Sequence, residues 1–405
     1  MPAQQKTIRI AVNARAVKRL HSGHPWVYRS DLSEAAAVSV PNASLVHVTD
    51  MRGKFLGTAL SSSSSQIALR VVSVEELEDD GIQLQKLVKD RIAAAVEYRR
   101  HLVSDSDACR VVFSEADELP GLIIDRYNDV FTLQALTQAM DRQDLREAVI
   151  QAIVEEFGTD VSVVERGETR IRELEKLTAF DTRLLVGDKT STNFRMNGLQ
   201  FQFDAAAGQK TGAFLDQREN YAAAASYAHG DALDVFCYQG GFALHLARKC
   251  KHVTGVDSSR AALEIAEQNA SANSGSLVSG EIDWIEANAF DLLKDYSVEG
   301  RKFDTIVLDP PAFAKSKRAL PTAMRGYKEL NLRALKMLRP GGILVTNSCS
   351  HHVSEAEFGE MLGSAAADAR RTVKVLEKRT QSKDHPVIAT IPETAYLKCF
   401  ICWVS

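Results

Sequence analysis

The chain has 405 residues, of which 45% are hydrophobic and 25% charged, and its net charge is −4. That length suits two or three domains with real cores, and the charge excludes a globally basic nucleic-acid binder. No apolar run reaches the roughly 18 residues of a membrane span and the first residues lack a signal core, so a cytoplasmic protein without a membrane partner is expected. From Lys6 to about Val74 short runs predict strands over Thr7–Val12, Ser44–Thr49, Phe55–Leu60 and Gln66–Val72, as in a small β-barrel. Between Met1 and Val72 the bases are Lys6, Arg9, Arg15, Lys18, Arg19, Arg29, Arg52, Lys54 and Arg70, against only Asp31, Glu34 and Asp50. A surplus of about six positive charges is a footprint for a polyanion. Arg15, Lys18, Arg19, His24, Trp26, Tyr28 and Arg29 bring cations and aromatic rings together, which is the chemistry of RNA binding. His21 and His24 have no further ligands nearby, so no metal is expected. The run Ser61–Ser65 reads as a loop within the barrel.

Acidic Glu75 to Asp80 marks a composition break and closes a first domain over residues 1–76. Residues 82–190 then read as a central α+β domain. Its helices are expected over Gln83–Leu102 and Gln143–Phe157, with strands at Val111–Phe113, Leu122–Asp125, Val130–Leu136 and Val161–Val164. No catalytic constellation stands out there. The mixed-charge run Glu165, Arg166, Glu168, Arg170 and Arg172 reads as a solvated face.

Residues 191–405 form the third domain. Asn197-Gly198 between alternating flanks predicts a hairpin over Thr192–Phe203. The loop Gly208 to Asn220 follows, with glycines, Lys210 and Asp216-Gln-Arg218 placed to fold over a ligand. Strands are expected at Ala232–Phe236, His252–Asp257, Asp283–Ala287, Phe303–Asp309, Gly342–Cys349, Val373–Lys378 and Ala395–Val404, with helices near Phe242, Ser259, Phe290, Leu320 and Ser354. This is a doubly wound α/β sheet whose ligands sit at the carboxyl ends of the strands, and one of its last two strands is expected to be antiparallel. Cys399 and Cys402 lie in a strand-like run without a second pair, and read as core residues rather than metal ligands.

Asp234-Val-Phe-Cys-Tyr-Gln-Gly-Gly241 places a glycine turn between a strand and a helix, so a ligand can approach the backbone closely. Asp257 ends the next strand, where a carboxylate can accept from ribose hydroxyls. The G-x-G-x-x-G cradle for a pyrophosphate is absent, which makes a dehydrogenase the poorest reading. A nucleoside cofactor without phosphates, S-adenosylmethionine, fits better. At the fourth strand end Asp309 is followed by Pro310 and Pro311, which restrict its backbone, and it is placed to bind a base edge. At the fifth, Cys349 sits between Ser348 and Ser350. Carbon 5 of a pyrimidine is a poor nucleophile until sulfur adds at carbon 6, whereas an exocyclic nitrogen needs no cysteine.

Gly23-His-Pro-Trp-Val-Tyr28, Gly208 to Arg218, Asp234 to Phe242, Asp309-Pro-Pro311, Ser348-Cys-Ser350 and Asp384-His-Pro-Val-Ile-Ala-Thr390 span nearly the whole chain in order. With them the chain resembles the bacterial large-subunit ribosomal RNA cytosine-5 methyltransferases that carry an N-terminal PUA domain. The resemblance implies a PUA domain, a central α+β domain and a seven-stranded class I methyltransferase domain. It implies Cys349 as nucleophile and Asp309 on the cytosine ring nitrogen. S-adenosylmethionine would lie among Lys210, Thr211, Phe214, Asp216 and Arg218, then Asp234, Phe236, Gly240 and Gly241. Asp257 and Ser258, Asn288 and Ala289, and Asp309 would complete its site. Lys315 would join the N-terminal cluster in binding ribosomal RNA, and a homodimer is compatible with the sequence. Asn288 stands where related sequences have an aspartate for the adenine amino group, and its carbonyl is expected to accept in the same way. The serine run Ser61–Ser65 also replaces a more structured turn. The readings to be distinguished are cytosine-5 methylation, methylation of uridine carbon 5 or of an exocyclic nitrogen, and a non-catalytic RNA-binding assembly factor.

Overall fold

The computed structural model describes residues 7–78, 81–167, 169–206, 213–278, 280–314 and 316–405. The chain divides into two compact units, one of residues 1–192, 204–209 and 384–394, the other of residues 193–203, 210–383 and 395–405.

In the first unit the barrel-like segment is a sheet of five strands, in the order Ile8–Ala11, Leu45–Thr49, Phe55–Ser61, Ile67–Ser73 and Trp26–Tyr28. The fifth, Trp26–Tyr28, comes from the stretch read only as an RNA contact. Val12, Val27, Val46, Val48, Ala59 and Leu69 fill the core of this sheet. The central α+β part is a second five-stranded sheet, whose strands Ala108–Phe113, Leu122–Tyr127, Val130–Ala135, Ser162–Glu165 and Arg183–Val186 neighbour one another in sequence order. Helix Ile82–Leu102 buries Leu84, Val88, Ile92 and Val96, one residue per turn, which is the spacing that places side chains on one face. Leu45, Leu60 and Val72 of the first sheet pack into the same cluster, so the two sheets share apolar contacts.

In the mixed-charge run Glu165, Arg166 and Arg172 are buried and do not form a solvated face, while Glu168 and the Arg170 side chain lie outside the described residues. Glu165 is fully buried, with Arg146 Nε at 3.0 Å and Arg183 Nη2 at 2.6 Å. Arg172, 2% exposed, donates to the Ala135 carbonyl at 3.0 Å and pairs with Asp141 at 3.0 Å. The partners lie far away in sequence, so local charge alternation could not reveal them.

The second unit carries the doubly wound sheet. Its strands are β1 (Asp231–Val235), β2 (His252–Asp257), β3 (Ile282–Glu286), β4 (Phe303–Leu308), β5 (Leu338–Ser348), β6 (Val373–Arg379) and β7 (Lys398–Val404). They stand in the order β3-β2-β1-β4-β5-β7-β6. The first five are parallel, and β7 runs antiparallel to both its neighbours, so the expected reversal falls on the last strand. The helices are α1 (Arg218–Tyr227), α2 (Gly241–Ala247), α3 (Arg260–Ala272), α4 (Ala289–Glu299), α5 (Leu320–Met337) and α6 (Glu355–Ala369). Side chains of Ser259, Asn288 and Ser354 cap α3, α4 and α6, accepting from first-turn amides that would otherwise lack partners. The hairpin forms as expected, with Asn197 and Gly198 both left-handed at φ 54° and 77°. Strand order reverses between β1 and β4, which opens a crevice at their carboxyl ends.

Glu165→Ala would remove the carboxylate on Arg183 and one of the two on buried Arg146, leaving Asp141 at 2.8 Å from the latter. This should cost about 1.5–3 kcal/mol of unfolding free energy. Glu155→Ala, at an ion pair where Glu155 is 61% exposed, should cost no more than about 1 kcal/mol. Urea titration of both variants checks the contrast.

Candidate active site

The turn after β1 is strained and pinned. Phe236 and Tyr238 adopt left-handed φ of 69° and 49°, which non-glycine residues keep only where their surroundings impose it. The amides of Phe236 and Cys237 both donate to the Val256 carbonyl of β2, at 2.8 and 2.9 Å. The Tyr238 amide donates to Asp257 Oδ2 at 3.0 Å, and Asp257 Oδ1 accepts from the Ser259 amide at 2.9 Å. The result is a narrow cleft, partly open to solvent. Phe214, Tyr221, Phe236, Tyr238, Gly241 and Asp309 are among its walls.

The glycines of the turn answer mainly to packing. A Cβ at Gly241 would stand 2.5 Å from the Tyr221 ring, and one at Gly240, whose φ is 86°, 2.9 Å from Trp284. Asp234 lies beneath the cleft rather than in its wall: it is fully buried, and its Oδ2 accepts from the Ala243 amide of α2 at 2.8 Å. Burial and the neighbouring Asp309 hold its carboxyl well above the usual range. The first turn of α2, the place where a dinucleotide fold binds pyrophosphate, is thus taken by a carboxyl of this chain.

Asp309 follows β4. Burial, then the Asp216 carboxylate, push its carboxyl up to about 7, while a hydrogen bond from Gln217 pulls the other way. Gln217 Nε2 donates to Asp309 Oδ1 at 3.0 Å. The orientation of that amide is settled behind it: Asn220 Nδ2 donates to Gln217 Oε1 at 2.7 Å, and Arg379 Nε donates to Asn220 Oδ1 at 2.9 Å. Asp216 accepts from the Tyr396 hydroxyl at 2.7 Å. Gln217 and Asn220, 2% and 1% exposed, were missed by sequence reasoning. The adjacent Asp216-x-Arg218 was a signal for Gln217; nothing local pointed to Asn220.

Cys349 follows β5, beside β4, and of the six cysteines it alone is not fully buried. Asn347 Nδ2 donates to the Leu308 carbonyl at 3.0 Å, joining the two strand ends. The Tyr327 hydroxyl bonds Ser348 Oγ at 3.0 Å and Ser350 Oγ at 2.9 Å, and Ser350 Oγ accepts from the Ala314 amide at 3.1 Å. The residue between these serines is therefore held firmly, with its Sγ 3.8 Å from the Pro310 carbonyl. Burial, then Asp309 and Asp216, push the thiol up to about 12.

The other expected residues are distributed unevenly. Ser258 is exposed at the end of β2, and Arg218 is buried at the start of α1. Asn288 is exposed after β3, and Ala289 behind it is buried. The Asn288 carbonyl already accepts from the Phe290 and Asp291 amides at 2.9 and 3.4 Å, so its NH2 is the group turned outward. This departs from the expectation that it accepts as an aspartate would. Lys210, Thr211 and Lys315 lie outside the described residues.

In the first unit the cationic cluster is largely engaged with the protein. Arg15 and Arg19 both pair with Asp31. Arg29 donates to the carbonyls of Ser65, Ala37 and Ser62. The Trp26 indole donates to Glu115 at 3.0 Å, His24 meets Glu393 at 3.1 Å, and the Arg19 guanidinium covers the Tyr28 ring at 4.6 Å. Lys18 is exposed.

The Gln217 contact yields a sign that can be measured. A donor to a carboxylate favours the ionised form. Gln217→Leu should therefore move Asp309 titration upward from about 7, read from carboxyl carbon-13 shifts assigned by difference against Asp309→Asn.

Comparison with known proteins agrees with this architecture. Residues 10–74 match the PUA-like domain family and residues 228–389 a methyltransferase domain family. Ribosomal RNA large subunit methyltransferase I of Erwinia tasmaniensis is 36% identical over 404 residues, covering 98% of this chain and 100% of that protein. The protein of the same name from Tolumonas auensis is 38% identical over 389 residues, covering 94% and 95%. A solved structure described as a methyltransferase complexed with SAH shares the fold at a TM-score of 0.82 and 19% identity, over 98% of this chain and 100% of that one. Full-length similarity at this level places the chain in the ribosomal RNA large subunit methyltransferase I family.

Proposed function

We propose that this protein forms 5-methylcytosine in large-subunit ribosomal RNA, through a covalent adduct at Cys349. The relatives' names supply the RNA, and the PUA-like domain is consistent with it. The cofactor is S-adenosylmethionine, which when bound supplies an electrophilic methyl group. The residues present fit it: aromatic walls from Phe214, Phe236 and Tyr238, and carboxylates at Asp257 and Asp216 for its hydroxyl and ammonium donors. Ser258, Asn288, Ala289 and Arg218 complete the set of candidate contacts, with Asn288 offering a donor to the adenine edge. The helix end that would suit a phosphate is filled by Asp234.

The observation that carries the choice of base is the raised carboxyl of Asp309. Cytosine has an unprotonated ring nitrogen at position 3, which accepts, whereas uracil has an N–H there, which donates. A carboxyl pushed up to about 7 retains its proton in much of the neutral range and so donates. It suits cytosine. The Cys349 thiolate adds at carbon 6 while Asp309 delivers its proton to nitrogen 3, which makes carbon 5 the nucleophile. After carbon 5 has taken the methyl it gives its proton to solvent water, nitrogen 3 returns its proton to Asp309, and the sulfur leaves as thiolate. Methylation of an exocyclic nitrogen would not require Cys349.

Cys349→Ala should abolish methylation of ribosomal RNA, read by nucleoside mass spectrometry; retained product at a nitrogen would discard the covalent route. Asp309→Asn can donate a hydrogen bond but not deliver a proton, and should lose about 10²–10⁴ in rate. In the unmodified protein the rate should rise with pH as Cys349 ionises and level off above about 7, where Asp309 loses the proton it must supply. In Asp309→Asn that break should vanish and the rise continue.

A further inference from the structure

The environment of Cys349 is hostile to a thiolate. Burial, then the Asp309 and Asp216 carboxyls, raise its thiol, and the Tyr327 hydroxyl beside it is neutral. Among the described residues the one cation that acts on it is Lys398. This residue opens β7, directly opposite Ser348 of β5 in the antiparallel register. It is 8% exposed, although the strand continues as Cys-Phe-Ile-Cys and an apolar side chain would fill the position without burying a charge.

Its contacts show where the ammonium is directed. Nζ donates to the Ser350 carbonyl at 2.7 Å and to the Tyr396 carbonyl at 2.8 Å. Among the described residues no carboxylate pairs with it at salt-bridge distance. Ser350 is the residue after Cys349, so the ammonium is anchored one peptide from the sulfur. Burial brings Lys398 down to about 8, while Cys349 and then Glu357 of α6 act to keep it charged. Glu357 is itself engaged by the Ser354 amide and hydroxyl. His351 and His352, next along the chain from Ser350, keep an exposed edge, and partial desolvation by the surrounding protein, then Lys398, holds His351 below its ordinary value.

We propose that Lys398 is a positioning residue for the nucleophile, its anchored ammonium being the counter-charge that allows the Cys349 thiol to ionise beside two carboxyl groups. The S–H bond breaks, the proton passes to water, and the electron pair remaining on sulfur is stabilised by the ammonium. The catalytic meaning of this pairing rests on Cys349 being the nucleophile, but the pairing can be measured without methyl transfer.

The experiment is alkylation of Cys349 by iodoacetamide in the full chain, without RNA or methyl donor, followed against pH by peptide mass spectrometry. Lys398→Met should move the midpoint up by at least about one unit, which is about tenfold slower alkylation below the midpoint. Lys398→Arg should keep it near the unmodified value. If Lys398→Met also exposes Cys237, Cys250, Cys399 and Cys402 to alkylation, Lys398→Gln replaces it in the comparison. An unchanged midpoint in the neutral variant that remains folded overturns the proposal. The two readings fail separately: an inactive Cys349→Ala with an unmoved midpoint removes Lys398 alone. A Cys349→Ala that still methylates RNA, together with a shifted midpoint, removes the covalent route and leaves the charge pairing standing.

Discussion

The Asp309 carboxyl stands where it is stable only without its charge. Burial and Asp216 lift it from 3.8 to about 7. Between those values the native state binds a proton that the unfolded chain has lost, so stability falls as pH rises across this window. Below it the cost is absent. The left-handed backbones of Phe236 and Tyr238 add strain on the same edge of the sheet. Such a site persists because what lies behind it is strong: a continuous apolar cluster that includes Leu233, Val235, Ile306, Leu308, Tyr327 and Phe400. In front of that cluster, the Arg379 guanidinium and the Asn220 and Gln217 amides form a chain of oriented donors that ends on Asp309.

Sheet order explains why one carboxyl stands beside both the cleft and the thiol. The ends of β1, β2 and β3 carry the aromatic turn, Asp257 and Asn288, groups suited to a nucleoside. The end of β5 carries the sulfur. β4 lies between β1 and β5, so Asp309 both lines the cleft and stands next to Cys349. Moving either strand in the order would separate the acid from the thiol. The proximity of these two groups is therefore a property of topology, and Asn347 and Tyr327 refine it locally.

What could be read from the sequence was whatever depends on neighbours along the chain. Strand periodicity, the Asn197-Gly198 turn, and the positions of Asp309 and Cys349 at strand ends are of this kind. Gln217, Asn220 and Lys398 escaped because their roles arise from partners 92, 159 and 48 positions away. The same limit explains the errors. Glu165 and Arg172 read as solvated because Arg146, Arg183 and Asp141 are invisible to a local window. The paired glycines were read for ligand approach, and Gly241 does line the cleft, but the packing of Tyr221 and Trp284 against them was not legible. Asn288 was judged by its functional group alone, and its role as the cap of α4 decides which end of that amide faces outward.

Charge counting in the first unit shows the distinction between a field and a contact. Arg15 and Arg19 share one carboxylate, so the three groups together retain a single positive charge. Arg70 is neutralised by Glu115 and Glu175, at 3.6 and 3.2 Å. Arg29 meets only carbonyls and retains its full charge, but its donors are engaged. The sequence surplus thus survives in part as a potential that attracts a polyanion, which acts over about a Debye length and weakens with salt. Hydrogen bonds to phosphate need donors that are both charged and accessible. Arg15, whose side chain remains 63% exposed, and the exposed Lys18, Arg52 and Lys54 meet both conditions, whereas the buried members of the cluster meet only the first.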